Sequence, residues 1–125
     1  MPTVLIVDDD ENLRQLYQDE FERVGFDVLT ASDGHEAIRI VETRSPDACV
    51  LDIAMPGMDG IEVLRRILAI NNGLPVVLNT AYASYQDDFM TWAAAAYVVK
   101  SSDPSELVAK VLEVIANRSE NTGQA

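Results

Sequence analysis

Five short runs rich in β-branched residues recur along the 125-residue chain: TVLIV at 3–7, FDVLT at 26–30, ACVL at 48–51, PVVLN at 75–79 and YVV at 97–99. Their starts lie 23, 22, 27 and 22 residues apart, which is too far for hairpins and far enough for a helical crossover between each pair. The segments between them carry apolar residues at helical spacing. Leu13, Leu16, Tyr17, Phe21 and Val24 form one stripe, Ala37, Ile38 and Val41 a second, and Ile61, Leu64, Ile67 and Leu68 a third. Leu107, Val108, Val111, Leu112 and Ile115 form the last, and a weaker helical pattern at about 84–96 holds Phe89, Trp92 and four alanines. Strand–helix alternation repeated five times implies a doubly wound α/β fold. Its sheet is parallel, its crossovers are right-handed and helices cover both faces.

Boundary residues agree. Gly25 and Gly73 follow helical stripes, as C-terminal caps do. Asp59 and Asp103 precede stripes, and Asp103-Pro104-Ser105-Glu106 combines an N-cap, a proline at the first helical position and a capping glutamate. The polar ending NRSENTGQA reads as a frayed tail, so the domain is placed at 1–117 and the tail at 118–125.

Charge narrows the function. Nine basic against 21 acidic residues give a net charge of −12, which argues against direct binding to nucleic acid or to an anionic membrane surface. The acid excess favours cations and basic partners. Cys49, the only cysteine, lies in an apolar run and reads as a buried, reduced thiol. The N-terminus has no basic segment and no apolar run of signal-peptide length, so a cytoplasmic location is expected.

In open α/β sheets ligands bind beyond the carboxyl ends of the strands. Asp8, Asp9 and Asp10 follow the first run, Asp52 the third, Thr80 the fourth and Lys100 the fifth. Taken singly, Asp10 is a helix N-cap and Asp8 and Asp9 are a solvated strand end. Asp52 is a loop acid, Thr80 a strand-end threonine and Lys100 a surface lysine. Taken together on one sheet edge, the carboxylates suit a hard divalent cation such as Mg²⁺, which prefers oxygen ligands. The lysine supplies a point charge and the threonine a donor for phosphate oxygens. An Asp beside a metal is a competent nucleophile toward a phosphoryl group. His35, near the start of the second helix, reads as solvated.

VLIVDDDENLR, LDIAMPGMDGIEVL, NTAY and YVVK, in this order and at these intervals, resemble a response-regulator receiver domain of two-component signalling over essentially residues 3–117. The resemblance implies a flavodoxin-like (βα)5 fold with strand order 2-1-3-4-5. It implies that Asp52 accepts a phosphoryl group from a sensor histidine kinase or a histidine phosphotransfer protein, with Mg²⁺ or Mn²⁺ as cofactor. Asp9 and Asp52 would ligate the metal directly, Asp8 mainly through water and Ala54 through its backbone carbonyl. Thr80 would hydrogen-bond the phosphoryl group and Lys100 would pair with it. Tyr97 matches the family's switch aromatic, and Ala54 and Tyr82 hold positions that tune phosphoryl lifetime; an intermediate lifetime is expected.

The changed surface would be that of the fourth helix, fifth strand and fifth helix, where a downstream protein binds. The implied protein is a phosphoacceptor signalling domain that assists its own phosphorylation and slow dephosphorylation, not an enzyme in the ordinary sense. It would be a monomer or a weak dimer.

Three features depart from the family pattern. Lys100-Ser101 stands where Lys-Pro, often cis, is usual, so a trans bond is expected here. Ala93-Ala94 stands where Gly-Ala commonly ends the fourth helix, so that helix is expected to run longer or end differently. No output domain is expected after the last helix. Three rivals remain at the level of sequence. A haloacid-dehalogenase-type phosphohydrolase would need a second Asp that DIAMP lacks. A flavin site would need a phosphate loop after the first strand, and an interaction module would need no phosphorylation at all.

Overall fold

The computed structural model describes residues 1–57, 59–81, 93–101 and 103–124, with side chains through residue 118. Five strands, β1 Thr3–Val7, β2 Asp27–Ala31, β3 Ala48–Leu51, β4 Val76–Thr80 and β5 Ala96–Val99, form one parallel sheet in the order β2-β1-β3-β4-β5. The described helices are α1 Glu11–Arg23, α2 Gly34–Arg44, α3 Gly60–Ile70 and α4 Ser105–Gln124. The order and direction of the strands are those implied by the resemblance. Of the helical segment expected at about 84–96, residues 84–92 lie outside the described residues. Ala96 already belongs to β5, so a helix does not run through it.

Alternation along each strand splits the core into two layers. Leu5, Val7, Leu51 and Leu78 face α2 and α3, where they pack with Val41, Leu64 and Ile67. Val4, Ile6, Val50, Val77 and Val98 face α1 and α4 and pack with Tyr17, Phe21 and Val111. The rings of Phe21 and Phe26 meet edge to face at 5.2 Å. In β1, β3 and β4 the apolar residues are buried on both faces, as a sheet sandwiched between helices requires.

Some boundaries move. Gly25 has φ +100° after the cap residue Val24, and the Phe26 amide donates to the Phe21 carbonyl, closing α1 as expected. Gly73 does not cap α3. That helix ends on extended Asn71, whose side chain accepts from the Gly73 amide, so a side-chain turn replaces a left-handed glycine. The last helix runs to Gln124, past the limit of 117 read from the polar tail. Leu16 and Leu112, assigned to buried stripes, lie 37% and 47% exposed, because Tyr17, Phe21, Val108 and Val111 beside them already fill the layer. Among the described residues no helix is long and apolar enough to cross a membrane.

Candidate functional site

Each strand on the carboxyl edge delivers its side chains by parity. Asp8 continues the Val4–Ile6 file and Asp52 the Ala48–Val50 file, and Lys100 continues the file of Val98, so all three fall on the α1/α4 side. Register makes Asp8 and Asp52 neighbours, since Val7 pairs with Leu51 just before them. One carboxylate oxygen from each of Asp8, Asp9 and Asp52 lies within 4.8 Å of the others. Asp8 and Asp52 are buried and Asp9 is exposed.

Lys100 occupies the space between the two buried acids. Its Nζ lies 2.8 Å from Asp8 Oδ2 and 2.8 Å from Asp52 Oδ2. Burial alone would lower the lysine's pKa, but its hydrogen bonds to Asp52 and Asp8, and their charges, outweigh this and hold it raised. Asp8 is raised as well. Burial dominates there, the Asp52 charge adds to it, and the lysine together with the Asp10 amide opposes it. One ammonium does not neutralise three carboxylates.

Backbone groups fix the remaining oxygens. The Asp10 amide donates to Asp8 Oδ1 at 2.9 Å, and the Ala54 amide donates to Asp52 Oδ1 at 2.9 Å. Arg14 Nη1 donates to the Asp8 carbonyl at 2.7 Å, bracing the acidic loop from the first turns of α1. Asp10 takes the cap role: its side chain accepts from the Asn12 and Leu13 amides at 2.9 and 3.2 Å. Asp59 caps α3 in the same way, through the Ile61 and Glu62 amides.

The other expected residues distribute as follows. Thr80 is the last residue of β4, not the first beyond it; it is fully buried, and its carbonyl accepts from the Lys100 amide at 2.8 Å. By parity with Leu78 its side chain lies on the α2/α3 side, the face against which Tyr97 packs. Thr80 and Tyr97 thus share one face of the sheet, opposite the acids. Among the described residues there are no cis peptide bonds, so Lys100–Ser101 is trans with Lys100 in contact with Asp52. Tyr82 lies outside the described residues. Cys49 is fully buried and its thiol is pushed up to about 12, which leaves it chemically quiet. His35 is exposed, as expected.

Sequence reading missed the brace from Arg14, whose spacing of six from Asp8 carries no motif. It also missed a buried hydrogen bond between Asn79 and Tyr17, 62 positions apart. Only the register of β4 could have placed that pair.

Comparison with known proteins agrees with this geometry. Residues 4–112 match the family model for the response regulator receiver domain. The alkaline phosphatase synthesis transcriptional regulatory protein PhoP of Bacillus subtilis is 40% identical over 119 residues, which are 94% of this chain and 49% of PhoP. The chain therefore spans about half the length of the curated relatives it matches. The crystal structure of the response regulator TrrA from Thermotoga maritima in complex with Mg²⁺-BeF superposes with a TM-score of 0.87 at 38% identity, covering 91% of this chain and 99% of TrrA. A second structure of TrrA, in complex with the histidine kinase ThkA, superposes at 0.84, covering 91% and 98% of the two chains. From its fold, its edge of acids and these matches, the chain belongs to the response regulator receiver domain family.

Proposed function

We propose that this receiver domain accepts a phosphoryl group on Asp52 from a histidine kinase or histidine phosphotransfer protein, with a divalent cation held by Asp8, Asp9 and Asp52. The observation that carries the reading is the buried Asp52 carboxylate, held by the Ala54 amide on one oxygen and by the Lys100 ammonium on the other. That ammonium is shared with Asp8, and Asp9 lies alongside.

The donor set fits the metal: three carboxylates that converge, all oxygen, suit Mg²⁺ or Mn²⁺. When bound, the cation neutralises charge on the phosphoryl oxygens and on the acids. The protein's own part is orientation. The Ala54 amide and Lys100 fix the Asp52 carboxylate, and one of its oxygens attacks phosphorus as the bond to the donor histidine nitrogen breaks. Lys100 then pairs with a phosphoryl oxygen, and the Thr80 hydroxyl donates to another. Asp9 and Asp52 would ligate the cation directly, Asp8 would act mainly through water, and the Ala54 backbone carbonyl would complete the set.

Movement of Thr80 toward the phosphoryl group draws Tyr97, on the same face, inward. This two-state step alters the surface on the β5 and α4 side of the domain, where a downstream protein docks. Small Ala54 leaves room for the hydrolytic water, and the phosphoryl group has an intermediate lifetime. The domain assists its own phosphorylation and slow dephosphorylation. It works in the cytoplasm as a monomer or weak dimer, with residues 1–117 as the receiver and 118–125 as an appendage.

The test is a phosphoryl mimic. Mg²⁺ with beryllofluoride should raise the melting temperature above that with Mg²⁺ alone, and Asp52→Asn should abolish the increment. An equal increment in Asp52→Asn would remove Asp52 from the role.

A further inference from the structure

The row of side chains that holds the acids continues onto β4. Val7 pairs with Leu51 and Leu51 with Leu78, so the residues one step on, Asp8, Asp52 and Asn79, lie side by side on three neighbouring strands. Asn79 alternates with Leu78 and follows the Val77 file, so it faces the same α1/α4 layer as the two acids. It is 2% exposed, and its Nδ2 donates to the Tyr17 hydroxyl at 3.1 Å; Tyr17 is also 2% exposed.

Packing alone gives no reason for this pair. The layer around it is apolar, built from Val77, Val98, Phe21 and Val111. Hydrophobic residues at both positions would satisfy it without the about 1–3 kcal/mol that a buried polar group risks when its partner is lost. The pair has a distinctive place instead. The charges of Lys100, Asp8 and Asp52 all reach the Tyr17 hydroxyl. Tyr17 sits on the helix that leaves the Asp8–Asp10 loop, and Asn79 directly precedes Thr80 at the end of β4.

We propose that the Tyr17–Asn79 hydrogen bond is a positioning device for phosphoryl transfer, locking α1 and the acidic loop that launches it to the strand end that carries Thr80. The inference rests on the reading of Asp52 as phosphoacceptor. Neither residue touches the phosphoryl group; both act by holding the register between groups that do. Misplacing a reacting group by a fraction of an ångström is enough to slow a reaction that depends mainly on alignment.

The experiment follows adduct formation by intact mass with acetyl phosphate at saturating Mg²⁺. It compares wild type, Asp52→Asn, Tyr17→Phe and the double variant Tyr17→Phe/Asn79→Leu. Thermal melting is recorded for each, and rates are taken well below the lowest melting point. Tyr17→Phe leaves the Asn79 amide without its partner and should melt lower. The double variant leaves no polar group behind and should recover stability. A positioning role predicts that the maximal rate falls about tenfold in both variants and does not return with stability in the double one. The half-saturating donor concentration should stay unchanged.

A rate that recovers with stability, or that matches wild type in either folded variant, overturns the inference. If the double variant does not fold, Tyr17→Phe, which keeps the ring, decides alone by the same comparison. Absence of an adduct in wild type would instead overturn the reading of Asp52, so the two failures separate.

Discussion

At the residue scale, Lys100 holds two buried carboxylates with one ammonium, and this arrangement carries a sign. Its pKa is raised above the ordinary 10.5, so the folded state binds that proton more tightly than the unfolded one. The stabilisation is complete below 10.5 and is lost as pH rises through the folded value. Denaturant unfolding of the metal-free protein should therefore show stability falling above pH 10.5, and Lys100→Met should flatten that fall. An equally steep fall in Lys100→Met would show that other groups govern it. Asp8 runs the same way at acid pH: its raised pKa makes its contribution fullest below 3.8 and weaker as pH rises past its folded value. These residues were legible in the sequence because each follows a strand and parity decides its face. The Tyr17–Asn79 bond was not, because a tyrosine in a helical stripe and an asparagine in a strand read as core and strand end until register joins them.

At the element scale, the phosphoacceptor loop is set by how closely α3 approaches it. Gly60, the first residue of α3, lies so near Ile53 that a Cβ there would collide with the Ile53 backbone. Ile53 stands between Asp52 and Ala54, whose amide braces the Asp52 carboxylate. Gly60→Ala should thus cost about 1–3 kcal/mol of stability, the range for overpacking, and should slow phosphorylation by shifting Asp52. Chemical denaturation and a timed adduct assay check both; a variant with unchanged stability and rate would show that the loop yields freely. The sequence announced α3 by its Asp59 cap and apolar stripe, yet gave no sign of this contact. Caps are local and legible, whereas approach distances belong to tertiary packing. The same distinction explains Gly73, whose cap role fell to the neighbouring Asn71 side chain.

At the scale of the whole molecule, five strands and their order bring Asp8, Asp9, Asp52, Thr80 and Lys100 to one edge, and Asp8, Asp52 and Lys100 lie in contact. The alternation of elements was plain from spacing, whereas strand order came only from the family resemblance, since periodicity says nothing of which strand lies beside which. An edge so charged couples metal binding to folding: a cation that binds only the folded chain stabilises it by about 2.7 kcal/mol at a hundred times its dissociation constant. Melting temperature should accordingly rise with Mg²⁺ in wild type. In Asp8→Asn the rise should be much smaller, while the metal-free variant should lose less than about 1 kcal/mol, because it sheds a carboxylate that burial disfavours. Indifference of wild type to millimolar Mg²⁺ would contradict a metal site at these acids.

The central claim, that Asp52 takes a phosphoryl group with the help of a divalent cation, is met most directly by intact mass after incubation with a small acyl phosphate. The expected result is a single phosphoryl adduct in wild type with Mg²⁺, and none in Asp52→Asn or in EDTA. An adduct that persists in Asp52→Asn, or none in wild type with Mg²⁺ present, would contradict it.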